Sequence, residues 1–129
     1  MSAVYVDTSA LGRVLLGEPA KPAIERELAA FDGRVSSRLL RIELRRLALR
    51  AGLADTGDTM DGVAFVPLDE ATLEVAEIIE PARVATLDAI HLATAVRLAA
   101  AGSLAAVLTY DRRLAEGARH HGIPVLSPA

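Results

Sequence analysis

The chain has 129 residues, a length that supports one domain. Apolar residues make up 52% and aromatic residues 3%, so the core must come from Leu, Ala, Val and Ile, and base stacking on aromatic platforms is excluded as the main binding mode. The net charge of −3 argues against a general polyanion binder, and the absence of cysteine excludes disulfides, thiolate zinc sites and cysteine nucleophiles.

The elements follow in chain order. "AVYV" (Ala3 to Val6) is a short apolar strand that stops at Asp7. A short helix is expected from Ser9, and a second from about Pro19 to Phe31, where Pro22 is tolerated only near the helix start. "GRVSS" reads as a short strand, and a helix then runs from about Ser37 to Ala51, closed by Gly52. "ADTGDTMDG" is a turn-rich connection, "VAFVPL" (Val63 to Leu68) a strand, and Asp69 begins an acidic helix to about Glu80. Pro81 interrupts before a nearly all-apolar helix from about Thr86 to Ala101. "AAVLTY" (Ala105 to Tyr110) is a strand that runs into Asp111, "RRLAEGARHHG" is the last helix, and "IPVLS" a final strand. Apolar strands alternating with helices predict a parallel sheet with helices on both faces. In such folds the site lies at the carboxyl ends of the strands, near the switch in strand order. No apolar run reaches the length of a membrane span, and no basic segment precedes an apolar one at the N-terminus. The expectation is a soluble, cytoplasmic protein without a membrane partner.

Charge is unevenly spread. Arg34, Arg38, Arg41, Arg45, Arg46 and Arg50 fall in one stretch, whereas eight acids and no base lie between Asp55 and Glu80. The acidic stretch reads as a solvated face. The arginine cluster is denser than a solvated face requires, which leaves surface ion pairs and contacts to phosphate or an acidic partner both open.

Four carboxylates stand out. Asp7 and Asp111 each end an apolar strand and converge if those strands are neighbours. Glu43 sits at the edge of a helical stripe of Leu40, Leu44, Leu47 and Ala51. It is either the partner of Arg46 at i, i+3, worth a few tenths of a kcal/mol, or a carboxylate aimed at a cleft. Asp88 follows Thr86, a candidate N-cap, and suits the helix dipole there. It is also the only acid of an otherwise apolar helix, where a buried acid needs a partner or a shifted pKa. Gathered together, four acids require a cation, and an all-oxygen set suits Mg²⁺ or Mn²⁺. Such ions activate water and stabilise charge in phosphoryl transfer. His91, three residues after Asp88, has no second His or Cys at zinc spacing, so it reads as a packed or supporting residue rather than a ligand.

Four motifs, "VYVDTSAL" from Val4, "RIELRR" around Glu43, "TLDAIHLATA" from Thr86 and "VLTYDRRLAEGARHHGIPVL" from Val107, resemble the PIN-domain family. Within it they resemble the VapC-type toxins of bacterial toxin–antitoxin pairs. The resemblance implies a three-layer α/β fold, a central five-stranded parallel sheet flanked by helices. It also implies a Mg²⁺- or Mn²⁺-dependent endoribonuclease with its acids at Asp7, Glu43, Asp88 and Asp111. Thr109 and Thr8 or Ser9 match its hydroxyl positions. It further implies a homodimer, a cognate antitoxin in a hetero-oligomer, and contact with DNA only through that antitoxin. On this basis Asp7, Asp88 and Glu43 are the expected metal ligands, directly or through water, with Asp111 positioning water or a second ion. RNA cleavage would leave 5′-phosphate and 3′-hydroxyl ends. Arg38, Arg41, Arg45, Arg46 and Arg50 of one helix, with Arg112 or Arg113, are the candidate contacts to the RNA backbone. Two further readings are a PIN-domain RNA-processing nuclease with no toxin role and a non-catalytic binding module. A receiver domain is disfavoured because the only lysine is Lys21, and a haloacid-dehalogenase-type phosphatase because Ser9 stands where a second Asp is needed.

Overall fold

The computed structural model describes residues 2–129. In chain order the elements are β1 (Ala3–Val6), α1 (Thr8–Leu15), α2 (Lys21–Ala29), β2 (Gly33–Ser37), α3 (Arg38–Arg50), β3 (Val63–Val66), α4 (Glu70–Ile78), α5 (Thr86–Ala100), β4 (Ala106–Leu108), α6 (Arg112–His120) and β5 (Val125–Leu126). All five strands pair in parallel, in the order β3-β2-β1-β4-β5. The expected parallel α/β architecture is the observed one.

The central strand explains the layering. Side chains alternate across a strand, and every side chain of Val4, Tyr5 and Val6 is fully buried. Val4 and Val6 join Ala10 and Leu11 of α1, Ile24 and Leu28 of α2, and Leu40 and Leu44 of α3 in one core. Tyr5 points the other way, into a second core with Leu92 and Ala95 of α5 and Leu114 and Ala118 of α6. Helices covering both faces leave no wet side, which is why the strand shows no polar alternation.

The sheet's chain order turns between β1 and β4, which run side by side with Val6 opposite Leu108. Four strands lead at their carboxyl ends into a helix with a polar side-chain cap. Asp7 caps α1 through Ala10 N, Ser37 caps α3 through Leu39 N, Asp69 caps α4 through Thr72 N, and Asp111 caps α6 through Arg113 N and Leu114 N. Each cap satisfies amides that the helix itself leaves unpaired.

The structure corrects three local expectations. The N-cap of α5 is Ala85, which offers no side-chain bond, and Thr86 is already helical. The buried stripe of α3 is Leu39, Leu40, Leu44 and Ala48, with Leu47 partly buried, because the helix ends at Arg50 and leaves Ala51 exposed beyond it. The strand expected through Tyr110 ends at Leu108: the Thr109 amide still donates to the Leu126 carbonyl, but its hydroxyl turns to Asp7 and the Tyr110 amide donates to Ser9 Oγ. Pro22 sits at the helix start, where its missing N–H costs nothing.

Helices α5 and α6 approach closely at Gly117. A Cβ placed there would lie 2.7 Å from Cδ2 of Leu92, which is itself fully buried. Gly117→Ala should therefore destabilise the chain. Overpacking costs about 1–3 kcal/mol and outweighs a helix-propensity gain of at most about 1 kcal/mol. Urea denaturation measures the net loss, and a stabilised variant would contradict the packing.

Candidate active site

Asp7 emerges from the middle of the sheet and is only 3% exposed. Both of its carboxylate oxygens accept hydrogen bonds. Oδ1 accepts from the Ala10 amide at 3.1 Å and from Ser9 Oγ at 2.8 Å, and Oδ2 accepts from Thr109 Oγ1 at 2.6 Å. The same two hydroxyls accept amides from the β4–α6 turn: Tyr110 N–H donates to Ser9 Oγ, and Asp111 N–H to Thr109 Oγ1. Burial pushes the Asp7 carboxyl up, and the Thr109 and Ser9 hydrogen bonds counteract part of that rise. Ser127 donates to the Thr109 carbonyl, and the Tyr110 phenol donates to the Pro128 carbonyl, so the C-terminal residues brace this turn.

Asp111 lies three residues past the end of β4. Its Oδ1 takes both capping bonds of α6, and Oδ2 takes none within the chain. Asp88, in the first turn of α5, is half-buried and accepts no hydrogen bond among the described residues. Burial first, then Asp111, with smaller contributions from Asp7 and Glu43, pushes its carboxyl up to about 6, while His91 opposes the rise. The four predicted acids therefore share one electrostatic site.

Glu43 makes no ion pair with Arg46. Its Oε1 accepts from Thr8 Oγ1 at 2.7 Å and meets His91 Nε2 at 2.6 Å, and Oε2 takes no bond within the chain. Burial raises this carboxyl, but His91 and Thr8 together outweigh it and hold Glu43 below the usual glutamate range. His91 is itself buried, and its Nδ1 meets the Tyr5 hydroxyl at 2.5 Å. Tyr5 was not among the sequence candidates. The available signal was a phenol inside an apolar strand, since a buried Tyr hydroxyl needs a partner.

Two recesses flank the acids. One, of about 440 Å³, is lined by Thr8, Ser9, Glu43, Arg46, Arg50 and Leu87, among others. The other, of about 310 Å³, is lined by Thr109, Asp111, Arg112 and Arg119, with four further residues. Arg46, Arg50 and Arg112 thus stand beside the acids, whereas Arg38, Arg41, Arg45 and Arg113 line neither recess. Arg38 keeps Nη1 buried without a partner. Sequence reasoning also missed Arg13, which donates to the Ser9 carbonyl at 2.8 Å and lies over the Tyr110 ring, 4.2 Å from its centroid.

The donor set fits a hard divalent cation. Four carboxylates lie on the side of the sheet where β1 and β4 end, and among the described residues Glu43 Oε2, Asp111 Oδ2 and both Asp88 oxygens accept no hydrogen bond. Among the described residues, no three acidic or imidazole side chains stand close enough to enclose an ion by themselves.

The fold and site define an α/β protein with an acidic cleft at the switch in strand order. The PIN domain profile matches residues 4–123. The chain is 38% identical to Ribonuclease VapC47 of Mycobacterium tuberculosis over 97% of this chain and 96% of that protein. It is 36% identical to Ribonuclease VapC46 of the same organism over the full length of both, and 31% identical to Ribonuclease VapC35 over 97% and 96%. The chain belongs to the PIN domain family.

The state of Asp88 has a measurable consequence. A carboxyl that binds its proton more tightly in the folded chain costs stability as pH rises from 3.8 to about 6, and the penalty is complete above that range. Asp88→Asn should raise the melting temperature in chelator at neutral pH, and the gain should vanish below pH 3.8. The lost helix-dipole contribution acts in the opposite direction but is the smaller effect at a half-buried site with three other acids. Melting curves across this range check the sign.

Proposed function

We propose that this chain is a Mg²⁺- or Mn²⁺-dependent endoribonuclease that acts as the toxin of a type II toxin–antitoxin pair. The observation that carries the reading is geometric: Asp7 and Asp111 follow the neighbouring strands β1 and β4, Glu43 is bonded to Thr8 and His91 beside them, and Asp88 lies one turn before His91, with oxygens of Glu43, Asp88 and Asp111 free of hydrogen bonds among the described residues. Relatives of the same length named as ribonucleases support the substrate class.

Asp7, Asp88 and Glu43 would hold the cation, with Asp111 beside them. A hard divalent ion such as Mg²⁺ takes oxygen ligands and keeps several of its waters, so a few carboxylates suffice to hold it. When bound, such an ion polarises a phosphoryl oxygen and lowers the pKa of water. The chain's own residues supply the rest. Ser9 and Thr109 hold the Asp7 carboxyl in place, and Thr8 with His91 does so for Glu43. Arg46 and Arg50 on one side and Arg112 on the other contact RNA phosphates, and Arg38, Arg41 and Arg45 extend that basic surface. Among the described residues none of these arginines has an ion-pair partner within the chain. Such contacts position the backbone without reading its sequence.

A cognate antitoxin would cover the acidic cleft, the chain would assemble as a homodimer, and DNA would be reached only through the antitoxin. No helix among the described residues is long and apolar enough to cross a membrane, consistent with a cytoplasmic place of action.

The test uses an end-labelled RNA panel on denaturing gels. Cleavage should need Mn²⁺ or Mg²⁺, stop in excess EDTA and leave 5′-phosphates. Asp7→Asn should reduce it to background while the melting transition stays cooperative. Undiminished cleavage in EDTA would overturn the metal-dependent reading.

A further inference from the structure

We infer that His91, held by Tyr5, is the positioning residue that fixes Glu43 and sets its separation from Asp88. The inference rests on the metal-dependent reading of the site. Its basis is a closed circuit of hydrogen bonds. The Ser37 amide donates to the Tyr5 hydroxyl at 3.2 Å, Tyr5 meets His91 Nδ1 at 2.5 Å, and His91 Nε2 meets Glu43 Oε1 at 2.6 Å. Ser37 is the N-cap of α3 and Glu43 lies on the same helix. The circuit therefore begins and ends on α3 and passes through the central strand and α5.

Proton accounting sets its direction. A buried phenol keeps its proton, and the Ser37 amide already occupies an acceptor position on its oxygen. Tyr5 thus donates to Nδ1, and the imidazole carries its remaining proton on Nε2 and donates to Glu43. Thr8 donates to that same oxygen at 2.7 Å. Both bonds fall on Oε1, leaving Oε2 for a cation or its water. A ligand held by two outer partners in this way cannot rotate without breaking both.

The circuit also joins the two helical layers. α3 packs with Val4 and Val6, and α5 packs with Tyr5, on opposite faces of the sheet. Asp88 lies one turn before His91 on α5. The His91–Glu43 bond therefore holds together two helices whose acids, Glu43 and Asp88, repel. Asp88 and His91 divide the work of one helix face: the first offers oxygens to the site, the second sets the distance.

The test reads Mn²⁺ binding to the full chain without RNA, by electron paramagnetic resonance of the free ion. Tyr5→Phe keeps the ring and removes the donor. It and His91→Leu should each weaken Mn²⁺ binding about 10–100-fold, the range for loss of an outer partner. His91→Gln, which retains an N–H donor, should fall between His91→Leu and wild type. Folded variants that bind Mn²⁺ as tightly as wild type would overturn the role of His91. Wild-type protein that takes no Mn²⁺ would instead overturn the metal reading itself. A readout free of substitutions is the ¹⁵N spectrum of the His91 ring in the wild-type chain. It should show a protonated Nε2 and an acceptor Nδ1, and the opposite tautomer overturns the circuit whatever the variants do.

Discussion

A carboxylate buried at the end of the central strand is the constraint around which the polar structure is built. Asp7 follows the central strand of a sheet covered on both faces, where an unpartnered charge would cost several kcal/mol. Its partners come from two places 100 residues apart in sequence, Ser9 just after β1 and Thr109 just after β4. Each hydroxyl gives its proton to Asp7 and takes an amide from the turn that carries Asp111. Satisfying Asp7 therefore also fixes the turn bearing Asp111.

The acids divide their oxygens between fold and site. Asp111 spends one oxygen on the α6 cap and keeps the other. Glu43 gives one oxygen to Thr8 and His91 and keeps the other. Asp88 gives neither, and it is the group whose proton affinity rises to about 6. Burial raises both Asp7 and Asp88, but Asp7 has the Ser9 and Thr109 hydroxyls to oppose that rise, whereas Asp88 accepts no hydrogen bond among the described residues and is opposed only by His91.

Much of this was legible in the chain. An apolar run that stops at an acid marked the end of β1 and the buried Asp7, whereas β4 ends at Leu108, three residues before the half-buried Asp111. Their meeting followed from β1 and β4 being neighbours. Glu43 was ambiguous, because helical spacing places Arg46 within reach as readily as a cleft. The His91 circuit was not legible, since Tyr5 and His91 are separated by 86 positions and each has an ordinary core explanation. The arginine cluster was visible as composition, but only helix phase decides that Arg46 and Arg50 line the recess and Arg38, Arg41 and Arg45 do not.

By itself the sequence determined the alternation of apolar strands and amphipathic helices and the parallel sheet that such alternation requires, because these depend on local periodicity and on which residue types are present. Tertiary structure alone decided which side chains share a hydrogen bond. Whether Glu43 pairs with Arg46 or with His91, and whether His91 serves an ion or an acid, depends on distances across the sheet edge between helices on opposite faces. Such distances are set by packing, and no spacing along the chain encodes them.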